Sequence, residues 1–272
     1  MRPGKFMRTP PVQAAISVVR KVWYAGRDEH LDVAGYSLKY LPGTRPVRPS
    51  YRDDPDVVVR NDARQLEFFA VNVKKGETVV DVGANVGQYA VLFGAAVGPS
   101  GKVISFEPDS AARLVLEQNV AINRIADRVK IEPLALFDTT GVHHFYSRPH
   151  DAMGSLERAG FGTNAGNPEI RESTVHTISL DDYLVSNGLS DPDWMKIDAE
   201  GAEINVLRGA MRALHGKTRI VCELHPYAWE SFGTKFEDLM SMAEQAGRKV
   251  SWLDDTREFT GRPDYGAVVI SW

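Results

Sequence analysis

With 272 residues, 43% of them hydrophobic and 25% charged, the chain has the composition of an ordinary globular protein with a sizeable core, which excludes collagenous, disordered and coiled-coil classes. The net charge of -4 is uneven: residues 1–50 hold nine Lys and Arg against three Asp and Glu, leaving 23 against 33 elsewhere, so the main body is acidic and lacks the basic footprint of a nucleic-acid binder. A single cysteine, Cys222, rules out an intrachain disulfide and a four-thiolate metal site, and points to a reducing, cytoplasmic compartment.

The N-terminus is basic, but its longest apolar run, Ala14 to Val19, is interrupted by Ser17 and is too short for a signal segment or a membrane span. Val12, Ala15, Ile16, Val19, Val22 and Trp23 recur at helical spacing. This helix is expected to pack on the main domain or on a second subunit of a homo-oligomer, the other reading being peripheral contact with an anionic membrane. Residues 31–60 read as short extended pieces broken by Pro and Gly. The chain therefore divides into an N-terminal extension, 1–56, and a main domain, 57–272.

A helical stretch from Asp62 ends at Lys74-Lys75-Gly76, after which strand and helix alternate. ETVVDVG, KVISFEP, RVKIEPLAL, WMKIDAEG and RIVCELHP read as strands, with KVSWL and GAVVISW closing the chain. The spacing predicts helices over Ala90–Val97, Ala111–Ile122, Ala202–Leu214 and Phe236–Ala246. Apolar strands linked by helices mean a doubly wound α/β sheet, mostly parallel and covered on both faces, whose ligand site lies at the carboxyl ends of the strands.

The residues at those ends carry the chemistry. After the first strand comes Asp81-Val-Gly83-Ala-Asn85-Val-Gly87-Gln-Tyr89, a Gly-rich turn into a helix. A dinucleotide fingerprint needs glycine where Asn85 and Gln88 stand, so the pyrophosphate version is absent; plain tight packing is the other reading of the glycines. Glu107 ends the second strand 20 residues beyond Gly87, a spacing that suits a ribose diol, although a strand-end carboxylate can also cap the next helix. A ribose acid without a pyrophosphate turn implies S-adenosylmethionine.

VDVGANVGQY, FEP, LEQNVAIN, SLDDYL, MKIDAEGAEINVLRG and CELHP occur here in the order of FkbM-family methyltransferases, which the chain resembles over roughly residues 57 to 271. The resemblance implies a class I methyltransferase fold, seven strands with the last antiparallel, and methylation of hydroxyl groups on sugars and other secondary metabolites. It also implies that Asp81, Gly83, Asn85 and Gly87 surround the methionine part of the cofactor, with Tyr89 counted in the same turn. Glu107 would hold the ribose, and Ala135 and Leu136 the adenine edge.

Asp198, after the fourth strand, is expected to face the transferable methyl, with Lys196 and Glu223 beside it as further catalytic candidates. Lys196 can equally be a paired structural cation, and Glu203 a charge that complements the helix dipole. His225, past the fifth strand, suits a general base near neutrality. Asp198, Glu223 and His225 also make a chemically sound metal set, but each has a metal-free explanation, so no metal is the expectation. Residues 138–180 form a long insertion with His143, His144, His150, Met153, Ser155 and the tip GFGTNAGN, where acceptor selectivity is expected to reside and the histidines read as solvated loop residues.

These features point to an S-adenosylmethionine-dependent O-methyltransferase acting on a small-molecule or glycan hydroxyl. A nicotinamide dehydrogenase is disfavoured by Asn85 and Gln88. A nucleic-acid methyltransferase is disfavoured by KIDAEG, which stands where Asp/Asn-Pro-Pro-aromatic is required, and by the acidic body.

Overall fold

The seven predicted strands assemble into one sheet in the computed structural model, which describes residues 31–33, 36–38, 56–148, 153–159, 161, 169–254, 257, 260 and 263–272. The helix expected over 12–23, His150 and all of GFGTNAGN except Phe161 lie outside the described residues. The sheet comprises β3 (Thr78–Val82), β4 (Lys102–Phe106), β5 (Val129–Glu132), β10 (Trp194–Ile197), β11 (Arg219–Leu224), β12 (Lys249–Trp252) and β13 (Gly266–Ser271). They lie in the order β12-β13-β11-β10-β3-β4-β5, and only β13 runs antiparallel to its neighbours. This is the doubly wound class I methyltransferase arrangement with its last strand reversed.

Period-two alternation sends each strand's apolar residues to both faces. Val79, Val103, Trp194 and Val221 pack against α1 (Val57–Asn72), α2 (Gln88–Val97) and α3 (Ser110–Ile122). Val80, Ile104, Met195, Ile197 and Cys222 face α4 (Leu180–Ser186), α5 (Glu203–Arg208), α6 (Met211–His215) and α7 (Phe236–Gln245). The helix expected over Ala202–Leu214 is thus two short helices, broken where Gly209 packs against the backbone of Phe137 with no room for a side chain.

RVKIEPLAL also splits. Its first half is β5, and after Pro133 the chain leaves the main sheet to form β6 (Ala135–Leu136) in a separate four-stranded sheet. The insertion supplies the rest of that sheet as β7 (Gly141–Arg148), β8 (Met153–Ser155) and β9 (Arg171–Ile178), in the order β6-β9-β7-β8. His143 and His144 therefore sit on a strand and not in a solvated loop: His144 Nδ1 meets Glu172 Oε1 at 2.8 Å, and the ring of His143 lies 5.0 Å from that of Phe137. Within the N-terminal extension, β1 (Leu31–Val33) pairs antiparallel with β2 (Tyr36–Leu38). Asn123 holds β2 against the end of α3 by accepting from Ser37 N at 3.0 Å and donating to Ser37 O at 2.6 Å. Among the described residues no helix is long and apolar enough to cross a membrane.

Candidate active site

A pocket opens at the carboxyl ends of β3, β4 and β10. Its floor is the turn after β3. Gly83 has a φ of +71°, and an added methyl there would overlap the backbone carbonyl of Asp198, so only glycine allows β3 and β10 to approach this closely. Asn85, also left-handed at φ 51°, points its amide N–H at Glu107 Oε2, 2.6 Å away. Gly87 does not line the pocket: it starts α2 at φ +91° against Leu116 of α3, which is the packing reading of that glycine.

Glu107 does line it. Its Oε1 accepts from Asp109 N at 2.8 Å and its Oε2 from Asn85 N, one donor each, so each oxygen can accept a further hydrogen bond. The next helix is capped by Asp109, which accepts from Ala111 N and Ala112 N. Glu107 is therefore free for a ligand diol. Burial pushes its carboxyl up to about 7 against the pull of the two backbone donors. Ala135 and Leu136 form an apolar wall with Val82 and Phe106, as a flat heterocycle requires. Opposite stand Phe145, Gly154, Ser155 and Leu156 from the insertion, which sequence reading had assigned to acceptor choice and not to this wall. Their signal is weak, because a three-residue strand with one buried apolar neighbour leaves no periodicity to read.

A buried polar row runs beneath the pocket on the face covered by α1 and α2. Register sets Ser105, Asp81 and Lys196 side by side on β4, β3 and β10, and all are at most 1% exposed. Burial pushes Asp81 up to about 6, opposed by Lys196. Lys196 Nζ meets Asp198 Oδ2 at 3.1 Å and lies 4.2 Å above the ring of Tyr89. Burial works against the ammonium, but Asp198, Asp81 and Glu223 outweigh it and hold Lys196 above its ordinary value, a fixed cation rather than a base. Neither Asp81 nor Tyr89 touches the pocket; Tyr89 serves as the lid on that ammonium.

Asp198, Ala199 and Glu200 form the pocket's far end. Glu200 and Gly201, at φ 47° and 106°, turn the chain sharply into α5. There Glu203, fully buried, accepts from Gly201 N at 2.8 Å, Trp229 Nε1 at 2.8 Å and His225 Nδ1 at 2.9 Å. His225 Nδ1–H donates to this carboxylate, which leaves Nε2 turned toward Glu200 Oε2 at 3.7 Å and toward Asp198 Oδ1 and Glu223 Oε1, each at 3.9 Å. His225 sits behind the pocket wall, not on it. Burial disfavours the imidazolium, but Glu200, Glu203 and Asp198 outweigh that penalty and hold its pKa well above the ordinary range. This raised pKa runs against the free imidazole base at neutrality expected from the sequence. Glu223 is tied to α1 and the β12–β13 connection by Gln65 Nε2 at 2.6 Å and by the hydroxyl of Tyr265. Asp62 of α1 faces the same cluster, where burial and the Glu223 charge raise its pKa. No local sequence signal marks Asp62, Gln65 and Tyr265, because distant stretches of chain bring them together.

The cofactor implied by the sequence fits these residues: each Glu107 oxygen accepts one backbone donor and can accept another from a ribose, and Val82, Phe106, Ala135 and Leu136 give the pocket an apolar wall for an adenine.

A family model described as "Methyltransferase FkbM domain" matches residues 81–250, more than half of the chain. The hexuronic acid methyltransferase AglP of Haloferax volcanii is 24% identical over 198 residues, covering 71% of this chain and 73% of its own. The 31-O-demethyl-FK506 methyltransferase FkbM of Streptomyces tacrolimicus is 29% identical over 182 residues, 57% of this chain and 68% of its own. Among solved structures, the precorrin-6y C5,15-methyltransferase of Geobacter metallireducens covers 80% of this chain and 91% of its own at 12% identity and a TM-score of 0.44.

Proposed function

Because the chain belongs to the FkbM methyltransferase family and is an S-adenosylmethionine-dependent methyltransferase, we propose that it methylates a hydroxyl of a saccharide or related small metabolite, with Asp198 drawing the proton from that hydroxyl. The position of Asp198 carries this reading. It shares the pocket wall with Glu107 and Gly83, and its Oδ2 is held by Lys196 while Oδ1 lies 3.9 Å from His225 Nε2, outside hydrogen-bonding distance. The names of the relatives favour oxygen acceptors, a hexuronic acid for one and 31-O-demethyl-FK506 for the other.

S-adenosylmethionine supplies an electrophilic methyl on a sulfonium, whose neutral thioether departs without an acid. The protein's own task is alignment and proton removal. Glu107 anchors the ribose end and Gly83 brings backbone close to the methionine end. Asp198 accepts the hydroxyl proton as the oxygen's electron pair forms the new bond. Lys196 keeps Asp198 in place, and His225, oriented by Glu203, stands 3.9 Å from its other oxygen.

Asp198→Asn should retain affinity for S-adenosylhomocysteine within a few-fold while turnover falls about 10²-fold or more, the usual worth of a positioned acid or base. His225→Ala should likewise act on turnover more than on cofactor affinity. Normal turnover of a uronic acid glycoside by Asp198→Asn would discard the base assignment.

A further inference from the structure

We propose that Asp198, Glu200 and His225 form a binding site for a divalent cation at the acceptor end of the pocket. Each of the three offers one ligand atom, and those atoms lie within 4.8 Å of one another, a span a single ion can bridge. This set differs from the one the sequence suggested, because Glu223 is engaged by Gln65 and Tyr265 while Glu200 is carried inward by the left-handed turn.

Acidic residues gather at many surfaces without an ion, so the argument rests on His225. Its side chain is 4% exposed, and its Nδ1 is committed to Glu203 at 2.9 Å. Nε2 then points into the carboxylate cluster with no partner inside hydrogen-bonding distance, its nearest oxygens being Glu200 Oε2 at 3.7 Å and Asp198 Oδ1 and Glu223 Oε1 at 3.9 Å, and the ion would take the place of the proton this nitrogen carries when the ring is charged. A buried ring nitrogen oriented by a carboxylate on its far side, and facing carboxylate oxygens just too distant to bond, is how a metal-binding histidine is held. Tyr227, whose hydroxyl donates to Glu200 Oε2 at 3.1 Å, supports the second ligand in the same way. Asp198 and Glu200 both line the pocket, so the ion would keep positions open toward a bound acceptor.

The role of the ion rests on the methyl-transfer reading above. A hydroxyl on the ion loses its proton more readily, and Asp198 then acts through the ion and not directly. Binding itself is independent of turnover and is measured first. The full chain, stripped with EDTA and dialysed, is titrated with Mn²⁺ and the free ion counted by electron paramagnetic resonance. One tightly bound Mn²⁺ per chain is expected, displaced by excess Mg²⁺. Binding should weaken at least tenfold in His225→Ala and in Glu200→Gln, the latter a near-isosteric change at a partly exposed side chain that preserves the fold if the former does not. Absence of stoichiometric binding, or binding untouched by Glu200→Gln, would overturn the site. Failure of the site leaves Asp198 as the direct base, which Asp198→Asn tests separately, whereas a bound ion makes Asp198 a ligand that acts through it.

Discussion

Glu107 shows how burial tunes one side chain for one ligand. Its carboxyl is pushed up to about 7 because it is buried, while the amides of Asp109 and Asn85 pull the other way. Ribose hydroxyls donate to the carboxylate form, so affinity for S-adenosylhomocysteine should decline as the pH falls through about 7. Glu107→Ala should lose tenfold or more at pH 8, since hydrogen bonds to a charged group contribute about 1.5–3 kcal/mol. Calorimetry at pH 6 and pH 8 reads both; an affinity flat with pH and unchanged in the folded variant would remove the ribose assignment. The effect on folding has the opposite sense. The native carboxyl keeps its proton to higher pH than its ordinary 4.5, so its contribution to stability is complete below that value and is lost as the pH rises through about 7.

Elements are held in place by single buried side chains as well as by apolar area. Arg248, only 4% exposed, follows α7 and donates to Ala213 O at 3.0 Å and Gly216 O at 2.8 Å at the end of α6. It also donates to Thr218 O at 2.7 Å, just before β11, and to Ile270 O at 3.2 Å in β13. One guanidinium thus satisfies helix-terminal carbonyls that have no partner within the helix and fixes that helix to two strands. Arg248→Met keeps the stem and strands those carbonyls, at about 1–3 kcal/mol for each one left unsatisfied. Its urea midpoint should fall by an amount equivalent to roughly 3 kcal/mol or more, with cofactor affinity retained because Arg248 lies at the opposite end of the strands from the pocket. An unchanged midpoint would show that water replaces the guanidinium without loss.

On the scale of the molecule, the pocket joins two sheets that the chain builds separately. Val82, Gly83, Phe106 and Asp198 come from the seven-stranded sheet and its strand ends, Ala135, Phe145 and Ser155 from the four-stranded one. A cofactor bound between them stabilises the native state by mass action, about 2.7 kcal/mol at a hundredfold excess over its Kd. For a chain of this size that corresponds to a rise in Tm of roughly 5–10 °C. S-adenosylhomocysteine should produce this shift and NAD should not, because Asn85 and Gln88 stand where a pyrophosphate turn needs glycine. A shift with NAD alone would reverse the cofactor assignment.

The sequence by itself determined what depends on neighbours along the chain: seven strands from their apolar runs, the Gly83 turn, Glu107 at a strand tip, and Asp198 where the pocket ends. These are local because period-two burial, left-handed turns and strand termini are written within a few residues. It did not determine that the insertion supplies β7, β8 and β9 of a second sheet beside the pocket, since half-exposed strands with mixed polar faces resemble loops. Nor could it separate Glu200 from Glu223 as the companion of His225: both are strand-end carboxylates, and only the three-dimensional structure commits Glu223 to Gln65 and Tyr265, 158 and 42 residues away. The charge on His225 was likewise decided by tertiary structure. An isolated imidazole titrates near neutrality, and Glu200, Glu203 and Asp198, brought to it by the β10–α5 turn and the start of α5, raise its pKa.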